Sequence, residues 1–173
     1  GWSAGIDRRV ARERDILAGL EHPHIARLYE AGVTPEGRPW LAMEYVQGLP
    51  LDVYCREQRL DVRQRLALFL QVADAVVYAH SRLVVHRDLK PNNILVTAQA
   101  EVRLLDFGVA KLLQDDEDSA QLTRALGCAV TPDYAAPEQA TGRDTSTATD
   151  VHGLAAVLYR LVSGRAPRNT AGL

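Results

Sequence analysis

His86-Arg87-Asp88-Leu89-Lys90-Pro91-Asn92-Asn93 is the stretch on which the reading of this chain turns. It packs three carboxylate or amide side chains and one lysine into eight residues. Thirteen residues after Asn93 comes Asp106-Phe107-Gly108, and Ala136-Pro137-Glu138 begins 30 residues after Asp106. Hard cations that bridge phosphate oxygens want oxygen ligands, a carboxylate and an amide, and Asp106 and Asn93 supply that pair. Each follows or precedes a short apolar segment able to hold it rigidly. Asp88 is placed to face an acceptor hydroxyl. Lys90, two residues on, can offset charge developing on a moving phosphoryl group. Gly108 lets the chain turn sharply after the metal ligand. Any one triplet is weak, because a lone aspartate is ordinarily a solvated or capping carboxylate. The three in order, at these intervals, form a specific signal.

On those residues the chain resembles the eukaryotic-type protein kinase family. Thr131-Pro132-Asp133-Tyr134-Ala135-Ala136-Pro137-Glu138-Gln139 brings it nearest to the bacterial serine/threonine kinases. The resemblance runs from about Arg8 to Pro167. It implies a two-lobed α+β fold, here an incomplete one: a small-lobe remnant over 1–43, a hinge at 44–46, and a mostly helical large lobe over 47–173. It implies transfer of the ATP γ-phosphate to serine or threonine of a protein substrate, with magnesium. Lys90-Pro91 after Asp88-Leu89 favours serine/threonine over tyrosine.

Carried across residue by residue, the resemblance makes Asp88 the catalytic base and sets Lys90 against the transferred phosphate. Asn93 and Asp106 become the magnesium ligands, and Thr131 a contact of Asp88 that helps bind substrate. Glu13 would pair with the nucleotide-clamping lysine. Met43 would be the gatekeeper, the backbones of Glu44 and Val46 the adenine partners, and Leu95 the floor beneath the ring. Leu17, Leu28, His86 and Phe107 would stack as a column anchored by Asp150. Arg87 marks kinases ordered by loop phosphorylation, for which Ser119 and Thr123 are candidates.

The chain departs from the pattern in one respect that its residues make plain. The family's glycine-rich loop is missing, since none of the 12 glycines forms a Gly-x-Gly pair. Its only lysines are Lys90 and Lys111, both after Glu13. The expectation is therefore a fragment truncated at both ends, with the last large-lobe helices absent and little activity of its own. The alternative is a non-catalytic binding relative. Retention of Asp88, Lys90, Asn93 and Asp106 together favours the fragment.

Composition agrees with a folded intracellular domain. Twenty basic and 22 acidic residues argue against a nucleic-acid binder. Two cysteines, Cys55 and Cys128, read as free thiols in a reducing, cytoplasmic setting. No apolar run reaches the roughly 18–20 residues of a membrane span.

Periodicity predicts a helix over 7–20, closed by His22-Pro23. A hairpin follows, with strands at Ile25–Ala31 and Pro39–Val46, and then a linker at 47–50. A long helix is predicted over 61–81, with Leu66, Phe69, Leu70, Ala73, Val76 and Val77 on its buried face. Strands are predicted at Ile94–Val96 and Val102–Leu105. The last helix, 146–163, is apolar nearly all round and so expected to be central, with Gly164 and Pro167 as stops.

Overall fold

The computed structural model describes residues 19–34, 39–105, 107, 133–140 and 145–167. Residues 7–18 of the helix predicted over 7–20 lie outside them. Gly19, its penultimate residue, is already in a turn, and Leu20 is irregular.

Strands β1 (Leu28–Val33) and β2 (Pro39–Met43) form the expected hairpin. Both are displaced from the predicted bounds. Ile25 belongs elsewhere, as a parallel bridge to Leu104, and residues 44–46 leave the strand to run as irregular chain. The segment predicted as a linker is a strand. β3 (Gly48–Pro50) pairs antiparallel with β4 (Ile94–Thr97), which pairs antiparallel with β5 (Val102–Leu104). Pro50 is tolerated because it closes the strand and opens the next helix, where its missing N–H has no ladder to serve.

That helix, α1 (Leu51–Glu57), has no counterpart in the sequence reading. It is short and contributes only Leu51 and Cys55 to the core, too few for a periodic signal. Cys55 is a free thiol, as expected, and burial pushes its titration upward. Cys128 lies outside the described residues.

Helix α2 (Val62–Ser81) begins where the sequence places it. Asp61 accepts from Gln64 N, and the Gln64 side chain answers with a bond to Asp61 N, closing a capping box. Its orientation differs from the expectation. Leu68, Val72, Ala75, Val76 and Ala79 face the core, while Leu66, Leu70 and Val77 face solvent. Of the six residues read as the buried stripe, only Val76 is fully buried. The helix carries apolar residues on two faces, and periodicity alone does not say which face meets the neighbouring helix. The face with Ala75 and Ala79 offers the smaller side chains.

Helix α3 (Pro137–Ala140) is a single turn, and α4 (Thr147–Ser163) runs between a Ser146 capping box and Gly164. Gly164 takes the left-handed conformation at φ +70°, which only glycine adopts freely, and ends the helix as expected. α4 is less enclosed than predicted. Gly153, Ala156, Val157 and Leu161 are buried, but Val151, Tyr159 and Val162 are open to solvent.

The core gathers α1, α2 and α4 beneath the β3–β4–β5 sheet. Two arginines stitch the helices together. Arg65 Nη1 donates to Leu161 O at 2.7 Å, and Arg160 donates to Asp52 Oδ2 at 2.9 and 3.1 Å. Ile25 and its neighbours tie the β1–β2 hairpin to this sheet: Leu104 N donates to His24 O at 2.8 Å and Ala26 N to Leu104 O at 2.9 Å.

Gly153 sets how closely α4 approaches the segment after α2. A Cβ there would stand 2.8 Å from Leu89 Cβ, inside any normal contact. Gly153→Ala is expected to destabilise the chain by about 1–3 kcal/mol, the usual scale of core overpacking. Chemical denaturation checks it, and an unchanged midpoint would contradict so close an approach.

Candidate functional site

The segment from Val84 to Lys90 has no regular structure, so side chains and buried polar groups must hold it. The principal holder is Asp150, on the first turn of α4, whose carboxylate is fully enclosed. Asp150 Oδ2 accepts from His86 N at 2.8 Å, and Oδ1 accepts from Arg87 N at 2.8 Å. His80 Nε2, from α2, completes the set at 2.7 Å from Oδ2. A buried carboxylate without such donors would be very costly.

Arg87 takes φ +72°, a strained region for a residue with a side chain. Both of its backbone groups are fixed there. Its N–H goes to Asp150, and its carbonyl accepts from Gln139 Nε2 at 2.6 Å. Gln139 is itself set by a bond from Ala136 N to its Oε1 at 2.9 Å.

His86 is buried, with its ring 4.7 Å from that of Phe107. Its Nδ1 accepts from Asp88 N at 3.2 Å, so the ring proton sits on Nε2, which donates to Leu105 O at 2.7 Å. Leu105 N in turn donates to Asn93 O at 2.8 Å. The residue before Asp106 is thus held on both backbone groups, by His86 and by Asn93. Asp106 itself lies outside the described residues.

These constraints bring Asp88, Lys90 and Asn93 together. Lys90 Nζ stands 2.7 Å from Asp88 Oδ2. Asn93 Nδ2 donates to the same oxygen at 2.9 Å and to Asp88 O at 2.8 Å. Asp88 Oδ1 takes no bond among the described residues and remains for an incoming donor. Asn93 spends its amide nitrogen on Asp88, which leaves Oδ1, a hard neutral oxygen, for a cation.

The nucleotide-side residues stand apart from this cluster. Met43 ends β2 and packs against the core. Glu44 N donates to Arg27 O at 2.8 Å, and Arg27 N donates back to Glu44 Oε2 at 3.1 Å. The Glu44 carbonyl and both backbone groups of Val46 are left without a partner among the described residues. Leu95 is half-buried on β4, on the face opposite Ile94 and Val96. An open groove of about 650 Å³ adjoins Glu44, Tyr45, Val46, Thr97 and Arg103, and shares no residue with the Asp88 cluster.

Leu28, like His86 and Phe107, is buried. Glu13, Leu17, Ser119, Thr123 and Thr131 lie outside the described residues. Glu138 has a partner within the chain: Thr149 Oγ1 donates to its Oε1 at 2.6 Å. That bond, with a backbone bond beside it, holds the carboxyl below the usual glutamate range.

Two positioning residues, His80 and Gln139, escape the sequence reading. No signal in one sequence joins position 80 to 150 or 139 to 87.

The protein kinase domain model matches residues 3–172 of the chain. Serine/threonine-protein kinase PknA of Mycobacterium tuberculosis is 42% identical over 164 residues, which cover 92% of this chain and 37% of that protein. Serine/threonine-protein kinase pkn2 of Myxococcus xanthus is 35% identical over 169 residues, covering 95% of this chain and 20% of that protein. The crystal structure of the Mycobacterium tuberculosis PknI kinase domain superposes with a TM-score of 0.73 at 31% identity, covering 99% of this chain and 63% of that one. The chain therefore spans about a third or less of the length of these curated relatives.

Asp150→Ala would leave two backbone N–H groups and His80 without their shared acceptor. It is expected to cost about 3–5 kcal/mol and to speed amide exchange at His86 and Arg87. Hydrogen exchange resolved by residue checks this, and unchanged protection at both amides would contradict it.

Proposed function

The chain belongs to the protein kinase domain family, and from that premise we propose that the protein containing it transfers the γ-phosphate of ATP to serine or threonine hydroxyls of protein substrates. The observation that carries the proposal is the state of Asp88. One carboxylate oxygen is fixed by Lys90 Nζ and Asn93 Nδ2, and the other takes no bond among the described residues.

In this reading Oδ1 of Asp88 accepts the hydroxyl hydrogen bond of the acceptor residue, orients its lone pair toward the γ-phosphorus and receives the proton as the oxygen–phosphorus bond forms and the bond to the β–γ bridging oxygen breaks, with ADP leaving. Lys90, held beside it, offsets charge on the phosphoryl oxygens. Asn93 Oδ1 and Asp106 would hold magnesium, which would supply positive charge against the phosphates. The amide oxygen of Asn93, fixed through its own nitrogen, is a hard ligand that suits that cation. The Glu44 carbonyl and the Val46 backbone groups, without partners among the described residues, would receive adenine, with Met43 as gatekeeper and Leu95 beneath the ring. Thr131 would contact Asp88 from the substrate side.

Glu13 would pair with a phosphate-clamping lysine supplied by a longer chain, because no lysine precedes Lys90. The same lysine count supports a second reading, a non-catalytic binding module.

In the complete protein, Asp88→Asn is expected to lower kcat by roughly 10²–10⁴-fold with the KM for ATP little changed. Steady-state kinetics on a protein substrate checks this. Phosphorylation unaffected by the substitution would overturn the proposal, and a wild-type protein that binds ATP without turnover would favour the binding module. The 173-residue chain alone is expected to fall at least about 10²-fold below the complete protein, for want of the clamp. Equal rates in the same assay would contradict that.

A further inference from the structure

Arg103 belongs to none of the motifs and stands in the middle of β5, between the buried Val102 and Leu104. Its register partner on β4 is Leu95. Directly paired residues of an antiparallel sheet share a face, so Arg103 and Leu95 rise from the same one. The Arg103 side chain is only 21% exposed, and each nitrogen of its guanidinium is engaged. Nη1 donates to Pro23 O and, at 3.3 Å, to Val102 O. Nη2 donates to Glu101 Oε2 at 3.1 Å. Nε lies 3.7 Å from Glu44 Oε1, the distance of an ion pair and not of a hydrogen bond.

Glu44 is thereby held at backbone and side chain together. Its N–H donates to Arg27 O, and its Oε2 accepts from Arg27 N, which folds the side chain back along the neighbouring backbone. Its Oε1 faces the Arg103 charge. With nitrogen and carboxylate both fixed, the carbonyl of the same residue has little freedom left to turn. The Glu44 side chain is 33% exposed, so water competes for its bond from Arg27 N. A cation pinned from behind by Pro23 O and Glu101 biases the carboxylate toward that bond. Arg103 is not needed to hold the sheet. Leu104 N to His24 O and Ala26 N to Leu104 O already join β5 to the segment before β1. What the side chain adds is at Glu44.

We propose that Arg103 is a positioning residue for the nucleotide, keeping the Glu44 carbonyl oriented toward adenine through the Glu44 carboxylate. This rests on the kinase reading, in which that carbonyl is an adenine partner. An acceptor that holds the right orientation only part of the time weakens binding in proportion, so the effect falls on affinity for ATP and not on turnover. Lysine does not replace the arginine, because a single ammonium cannot span Pro23, Glu101 and Glu44 as the planar fork does.

Calorimetric titration of the complete protein with ATP and magnesium, paired with residue-resolved hydrogen exchange in the absence of nucleotide, tests this. Arg103→Ala and Arg103→Lys are each expected to raise the Kd for ATP about three- to tenfold, the scale of ordering a short segment on binding. Both are expected to speed exchange at the Glu44 amide, with kcat within about twofold of wild type. The Leu104 amide, bonded to His24 O, is expected to keep its protection. Glu44→Gln keeps an acceptor for Arg27 N but removes the charge that faces Arg103. It is expected to weaken ATP binding as Arg103→Ala does, and the two together add little because they break one contact. Glu101→Gln alters the exposed arm of the same fork and is expected to leave the Kd within about twofold. A wild type that binds ATP, with affinity unchanged in Arg103→Ala, overturns this proposal alone. So does equal loss of protection at Glu44 and Leu104, the mark of an arginine that only holds the sheet. A wild type that does not bind ATP overturns it together with the kinase reading.

Discussion

A single enclosed carboxylate, Asp150, determines the shape of the segment that carries Asp88, Lys90 and Asn93. Both oxygens are spent on backbone N–H groups, His86 and Arg87, and one is shared with His80. Three separate parts of the chain meet there: α2, the irregular segment after it, and the first turn of α4. An unpaired carboxylate in that position would cost several kcal/mol, whereas three well-placed donors make its burial tolerable and give it one allowed geometry. That geometry holds Arg87 at φ +72°, which turns the chain so that Asp88, Lys90 and Asn93 converge within hydrogen-bonding distance.

The arrangement has the character of a preorganised site. His86 links the segment to Leu105, and Asn93 links back to Leu105 from the other side, so the residue before Asp106 is positioned by the same network that shapes Asp88. Gln139 couples the Arg87 carbonyl to the turn at Ala136. Gly153 lets α4 come close enough for Leu89 to seat against it. None of these groups reacts. Each removes a conformational freedom from the segment that carries Asp88.

The Asp88, Lys90 and Asn93 cluster was legible in the sequence because it is local, the three lying within six residues. The long helices were legible too, since Asp61 and Ser146 begin them with capping boxes and Gly164 ends the second. What escaped was set by partners distant in the chain. Gly48–Pro50 looks like a linker by composition and becomes a strand only because β4 is there to pair with it. Leu51–Glu57 is too short to show a period. The buried face of α2 was misjudged because Leu66, Leu70 and Val77 satisfy helical spacing as well as Leu68, Val72 and Ala79 do, and only the position of α4 decides between them. His80 and Asp150, 70 residues apart, carry no joint signal.

The Glu44 carbonyl and the Val46 backbone groups have no partner among the described residues, and no lysine precedes Lys90 in the sequence. The most direct measurement is phosphotransfer from radiolabelled ATP by the complete protein with magnesium, followed by phosphoamino-acid analysis of the labelled substrate. Label on serine or threonine is the expected result. No transfer, or label confined to tyrosine, would contradict the account.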